Sequence, residues 1–77
     1  MTTRKIDLTD TWQQLTTGAV SVFVQVERGD ICLADSATQP GEDAAAHRMK
    51  SGAEFSVTPP TVAWVRSAGG SSRIIVS

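Results

Sequence analysis

The sequence predicts an all-β domain, a compact antiparallel β-sandwich or a small jelly-roll-like barrel of seven to eight short strands. Three observations lead to this fold class. Apolar and polar residues alternate with a period of two in several short segments. Gly, Pro, Ser and Asp separate these segments every few residues, and no stretch has apolar residues at helical spacing over the length of an ordinary helix. With 77 residues, the chain is predicted to form one domain, residues 1–77.

The clearest predicted strand runs from Val20 to Glu27. Its four valines occupy alternate positions, so in a strand they all point to one face. Valine is β-branched and forms helices poorly, which favours a strand further. Phe23 lies on the opposite face, where it is exposed if that face meets solvent and buried if the sheet is covered on both sides. An exposed Phe23 indicates contact with another chain.

Two shorter extended segments precede this strand. Ile6 and Leu8 alternate with polar residues and predict a first strand, and residues 11–16 form a second segment that contains Trp12. Residues 1–5 carry a basic pair without apolar alternation. We expect these five residues to form a flexible N-terminal arm.

Residues 28–30, Arg-Gly-Asp, predict a tight turn, since Gly29 can take positive φ and apolar residues resume at once. A β-hairpin is therefore predicted between the valine strand and residues 31–34. Integrin ligands present the same tripeptide on a loop. Here a hairpin tip is the preferred interpretation, because we expect no secretory signal and the chain has only one cysteine.

The second half of the chain predicts a long polar loop and four more strands. The loop covers residues 35–46, with one helical turn at most, capped by Asp43. Residues 67–72 predict a second hairpin between the last two strands. The strands are predicted at residues 47–50, 53–57, 61–67 and 73–76.

The predicted core gathers the apolar residues that alternate along these strands. It comprises Val20, Val22, Val24, Val26, Ile31, Leu33, Phe55, Val62, Trp64 and either Ile74 or Ile75.

A domain of this size buries only about 60% of the surface of its unfolded chain, so its stability margin is thin. Small domains compensate with disulfides, a metal or partner subunits. The chain has one cysteine, Cys32, and one histidine, His47, which excludes an intrachain disulfide and a structural zinc site. We expect no cofactor, and support from a homo-oligomer or a larger assembly.

Charge and hydropathy exclude other classes of partner. The net charge is −1, with seven basic and eight acidic residues and no basic stripe, so we expect no nucleic-acid binding. The longest apolar runs are too short to cross a membrane, and we expect no membrane partner. No apolar run follows the basic N-terminus, so we expect synthesis in a cytoplasm.

The candidate catalytic groups have better structural interpretations, and we expect no enzyme. His47 beside Asp35 or Asp43 suggests acid–base chemistry, but no nucleophile motif accompanies them. His47 fits a surface or edge position. Cys32 lies between two apolar residues of a strand and fits a half-buried packing position rather than a reactive thiol.

Trp12, Phe23 and Trp64 are the candidate protein-interface residues. A core this small cannot hold both tryptophans at its centre, and tryptophan is enriched at interface hot spots. Trp12 is preferred because its segment is weakly patterned. A tryptophan platform for carbohydrate is the alternative, and a cupin-like enzyme, which needs a metal, is a third class.

Several segments together resemble small β-sandwich proteins and modules of tailed bacteriophages. The resemblance covers nearly the whole chain and is carried by residues 8–12, 18–22, 33–37, 47–55 and 62–70, of which Gly-Ala-Val-Ser-Val at 18–22 and Leu-Ala-Asp-Ser-Ala at 33–37 are the most characteristic. It implies a virion structural protein, above all a capsid-decorating or cementing subunit that binds the major capsid protein, often as a trimer. A tail or fibre module that binds carbohydrate is the alternative. No motif of the family carries chemistry, so the resemblance transfers no catalytic, cofactor or metal residues.

Overall fold

Eight β-strands make up the regular structure in the computed structural model, which describes residues 3–41 and 44–77. They form two four-stranded antiparallel sheets that pack against each other, so the predicted all-β sandwich is confirmed. The strands are β1 (Arg4–Leu8), β2 (Gln13–Gln14), β3 (Val22–Arg28), β4 (Ile31–Asp35), β5 (His47–Met49), β6 (Glu54–Val57), β7 (Ala63–Ser67) and β8 (Ser72–Val76).

Sheet I has the order β1-β8-β3-β6, and sheet II has the order β2-β7-β4-β5. The most apolar strands are central and the shortest lie at the edges, as the burial of alternate side chains requires. The core between the sheets consists of Leu8, Val24, Val26, Ile31, Val57, Ala63, Val65, Ile74 and Val76.

The two predicted hairpins are wrong, although the strands are antiparallel. β3 belongs to sheet I and β4 to sheet II, so residues 28–30 carry the chain from one sheet to the other. Residues 67–72 do the same between β7 and β8. An irregularity between Val26 and Arg28 bends the end of β3 towards this corner.

The two corners are packed against each other. Gly29 has φ of +74°, and a Cβ at this position would lie 2.6 Å from the Ser72 hydroxyl oxygen. That hydroxyl donates to the Asp30 carbonyl at 2.7 Å and lies 2.9 Å from the Ser67 hydroxyl. Glycine is therefore required at position 29 both by the backbone and by the close approach of β8.

Two parts of the predicted core differ from the structure. Val20 is 49% exposed because β3 begins only at Val22, so Val20 lies outside the sheet. In β7 the side chains of Ala63 and Val65 face the core, whereas Trp64 points to the outer side of sheet II and is half-buried. The sequence-based core, in contrast, lies on the Trp64 side of this strand.

Other core predictions agree with the structure. Val24, Val26, Ile31 and Ile74 are completely buried, which also decides between Ile74 and Ile75. A second group is half-buried and packs against the core, namely Val22, Leu33 and Phe55.

The prediction of a flexible arm over residues 1–5 is wrong for its last two residues. Arg4 and Lys5 belong to β1 and pair with Val76 and Ile75. Met1 and Thr2 lie outside the described residues. So does Asp43, the predicted helix cap.

Candidate interaction surface

The chain's own loop covers part of the outer side of sheet II. The indole N–H of Trp12 donates to the Gly41 carbonyl at 3.1 Å, and that of Trp64 donates to the Ser36 carbonyl at 2.9 Å. The Arg66 guanidinium lies over the Trp12 ring, 5.1 Å from its centroid. Both tryptophans thus fasten the loop after β4 to the sheet beneath it, and each buried indole N–H has an acceptor.

This arrangement bears on the two predicted interface tryptophans. Trp12 is only 7% exposed in the single chain, and Trp64 is half-buried. Trp12 therefore offers a partner little surface while the loop is in place. An interface role for either side chain stays a prediction.

The outer side of sheet I has a different character, and we call it the open face. Its outward side chains are exposed or half-buried. They are Lys5, Asp7, Phe23, Gln25, Glu54, Ser56, Arg73, Ile75 and Ser77.

Phe23 is the large apolar side chain of the open face. It is 46% exposed, which confirms that it lies on a face that meets solvent. Its backbone exchanges two hydrogen bonds with Ser77, at 2.9 and 3.0 Å, and its other neighbour across the sheet is Ser56. The phenyl ring is therefore flanked by small hydroxyl side chains that leave it accessible.

A shallow groove of about 290 Å³ runs beside the Phe23 ring. It is lined by Ser21, Val22, Phe23, Ser56, Thr58 and Ser77.

A second row crosses all four strands of sheet I in direct register. Lys5 is paired with Ile75, Ile75 with Gln25, and Gln25 with Glu54. Lys5 and Glu54 are both exposed. The row thus has a positive charge on one edge strand, a negative charge on the other, and Ile75 between them.

An ion pair occupies a further row of the open face. The Arg73 side chain donates to Asp7 at 2.8 Å. This hydrogen bond, together with the guanidinium charge, lowers the pKa of Asp7 below its ordinary value, and the carboxylate raises the pKa of Arg73 in turn. Because Asp7 is well exposed, solvent screens the pair, and its main effect is to keep both side chains on this face.

His47 and Asp35 line one cleft of about 220 Å³ at the side of the sandwich where β5 and β6 form the sheet edges. His47 is exposed on the edge strand β5, as expected. The Asp35 carboxylate accepts a hydrogen bond from the backbone N–H of Val62 at 3.0 Å, which gives it a structural role. The alternative partner of His47, Asp43, lies outside the described residues.

The remaining candidates occupy structural positions. Cys32 is half-buried in the central strand β4, in agreement with the packing interpretation. At the Arg-Gly-Asp turn, the Asp30 carboxylate lies 3.8 Å from Arg48. Among residues 3–41 and 44–77, no three His, Cys, Asp or Glu side chains are grouped so that they could hold a metal ion.

A polar cleft of about 250 Å³ lies beside Trp12. It is lined by Asp10, Thr11, Trp12, Gln39, Pro40, Gly41 and Arg66.

Comparison with known proteins gives no match: no family model, curated protein or solved structure matches this chain. In the described part of the chain, no helix is long and apolar enough to span a membrane.

Proposed function

We propose that the chain is a structural protein of a tailed-bacteriophage virion, a decorating or cementing subunit that binds the phage head. It works by protein–protein contact rather than by catalysis. The phage assignment rests on the resemblance of the segments quoted above. The observation that carries the adhesive role is the exposure of Phe23, 46%, on the open face of sheet I.

The packing around Phe23 supports a contact surface. Phe23 lies opposite Ser77 in sheet I, two residues beyond Ile75, so Phe23 and Ile75 are diagonal neighbours on one face. Complete burial of a phenylalanine side chain contributes about 1.5–3 kcal/mol. The loop after β4 covers part of the outer side of sheet II. On the open face, Phe23 and Ile75 have no such cover from the described residues. Contact with a protein partner would bury these apolar side chains.

The experiment is mass spectrometry of purified particles, separated into head and tail fractions. The proposal expects the chain in the head fraction at a fixed stoichiometry to the major capsid protein. Absence from particles contradicts the virion assignment. Enrichment in the tail fraction instead supports the alternative, a tail or fibre module for carbohydrate.

A variant tests the surface itself. We expect Phe23→Ser to weaken binding to heads that lack the chain by about three- to tenfold, since the exposed half of one large side chain no longer becomes buried. Val20→Ser is the matched control, because Val20 is equally exposed, at 49%, but lies before β3 and outside the open face. Equal binding by both variants and the wild type excludes Phe23 as the anchor.

A further inference from the structure

We infer that the open face binds a second copy of this chain, in a face-to-face dimer whose two-fold axis runs parallel to β3 and β8 and midway between them. This inference rests on the use of the open face as an adhesive surface, proposed above, and names the partner of that face in the free protein, which the phage head replaces on binding.

The row of Lys5, Ile75, Gln25 and Glu54 supplies the charge complementarity. A two-fold axis along the central strands places β1 of one copy over β6 of the other. Lys5 of each copy then faces Glu54 of the other, because both residues lie in the same row. Within one chain, Lys5 and Glu54 are separated by three strand spacings, about 14 Å. This distance is too long for an ion pair between them, so each charge is available to the other copy.

The two-fold axis also brings the apolar side chains of the open face, Phe23 and Ile75, together with their counterparts in the other copy. Phe23 lies on β3, next to the axis, so the rings of the two copies lie side by side, about one strand spacing of 4.8 Å apart. Ile75 lies on β8, also next to the axis, and faces Gln25 of the other copy. Two-fold pairing therefore brings Phe23 and Ile75 next to the axis and places Lys5 and Glu54 on the edge strands, while the Asp7–Arg73 ion pair lies at the end of the face away from Phe23.

The size of the face fits a stable dimer. The chain measures 28 × 25 × 15 Å, and the short dimension corresponds to the stack of two sheets. Each broad side of the molecule, loops and corners included, therefore measures at most about 28 by 25 Å. A dimer that uses the whole of this side approaches the roughly 800 Å² per partner of a standard interface.

The test is charge reversal, followed by sedimentation velocity over a range of concentrations and by circular dichroism to verify the fold. The wild type is expected at twice the single-chain mass of 8.2 kDa. Lys5→Glu and Glu54→Lys each turn two attractive pairs into repulsive ones, and each is expected to raise the dimer dissociation constant roughly tenfold. The double variant restores both pairs and is expected to return close to the wild-type constant.

Lys50→Glu is the control, since it makes the same charge change in the turn between β5 and β6, outside the open face. A wild-type monomer, a mass three times that of the chain or a double variant that stays dissociated overturns the dimer. Any of these results would leave the virion assignment intact, because the chain could still be found in purified particles. If the chain forms the dimer but is absent from particles, only the virion assignment is overturned. The two proposals therefore fail separately.

Discussion

Thr16 illustrates how one polar side chain holds an irregular segment against the sandwich. It is 2% exposed, and its hydroxyl donates to the Thr61 carbonyl at 2.9 Å and accepts from the Ala63 N–H at 3.0 Å. The same segment bonds through its backbone as well, from the Leu15 N–H to the Ala63 carbonyl at 2.7 Å. The hydroxyl thereby satisfies two backbone groups at the start of β7 that sheet II does not pair.

Thr16→Val keeps the shape of this side chain and removes both hydrogen bonds. Because the Ala63 N–H and the Thr61 carbonyl are left without the hydroxyl in a buried place, we expect the free energy of unfolding to fall by about 1–3 kcal/mol. Urea unfolding followed by tryptophan fluorescence measures this loss. Thr17→Val is the matched control, since Thr17 is exposed and an exposed site should change by less than about 0.5 kcal/mol. Equal effects at the two positions would show that the bonds contribute nothing.

Single residues differ in how far the sequence predicts their place. The side of the strand on which Phe23 lies is predicted, because it alternates with Val22, Val24 and Val26, whereas its exposure is decided only by the structure. The covering of Trp12 is not predicted, because its acceptor is the Gly41 carbonyl, 29 positions away in a loop without pattern. The signal that was available is chemical: a buried indole N–H needs an acceptor, and a polar loop supplies carbonyls.

At the scale of elements, alternation predicts the strands but not the partners of each strand. Two apolar strands around a tight turn produce the same pattern whether they pair in one sheet or cross from one sheet to the other. A subtler signal marks the crossing here. Ser67 and Ser72 occupy inward positions of strands whose other inward residues are apolar, and both are buried. Small polar residues at such positions indicate a close approach of two corners, since each hydroxyl needs a nearby partner.

Gly29 tests the packing of these corners. Gly29→Ala combines an unfavourable positive φ with a Cβ 2.6 Å from the Ser72 hydroxyl oxygen. Gly52→Ala is the control, because Gly52 has φ of +93° and a Cβ added there would meet nothing within 4 Å. We expect about 1 kcal/mol of destabilisation at position 52, from the backbone alone, and at least about 1 kcal/mol more at position 29. Urea unfolding of both variants gives the difference, and equal losses would mean that the corners separate without cost.

At the scale of the molecule, the two outer sides of the sandwich are unequal. Sheet II carries a loop fastened by two tryptophans, and sheet I presents Phe23 and Ile75 together with a row that ends in Lys5 and Glu54. The sequence predicts the sandwich, because the fold class depends on local alternation and on the length of the segments. It does not predict which outer side is covered, because that depends on where a long polar loop folds back, and the loop has no periodicity that fixes its path.

The thin stability expected of a 77-residue domain connects the open face to folding. A dimer that forms only from folded chains stabilises them by mass action, so the melting temperature should rise with protein concentration. A tenfold increase adds about 0.7 kcal/mol per chain once most chains are dimeric, which is about 3–5 °C for a domain of this size. Thermal unfolding by circular dichroism, from well below to well above the dissociation constant, measures this slope. Phe23→Ser should melt at a temperature that does not depend on concentration, because the variant stays monomeric while its core is unchanged. A wild-type melting temperature that is equally independent of concentration would show that the single sandwich is stable without a partner on its open face.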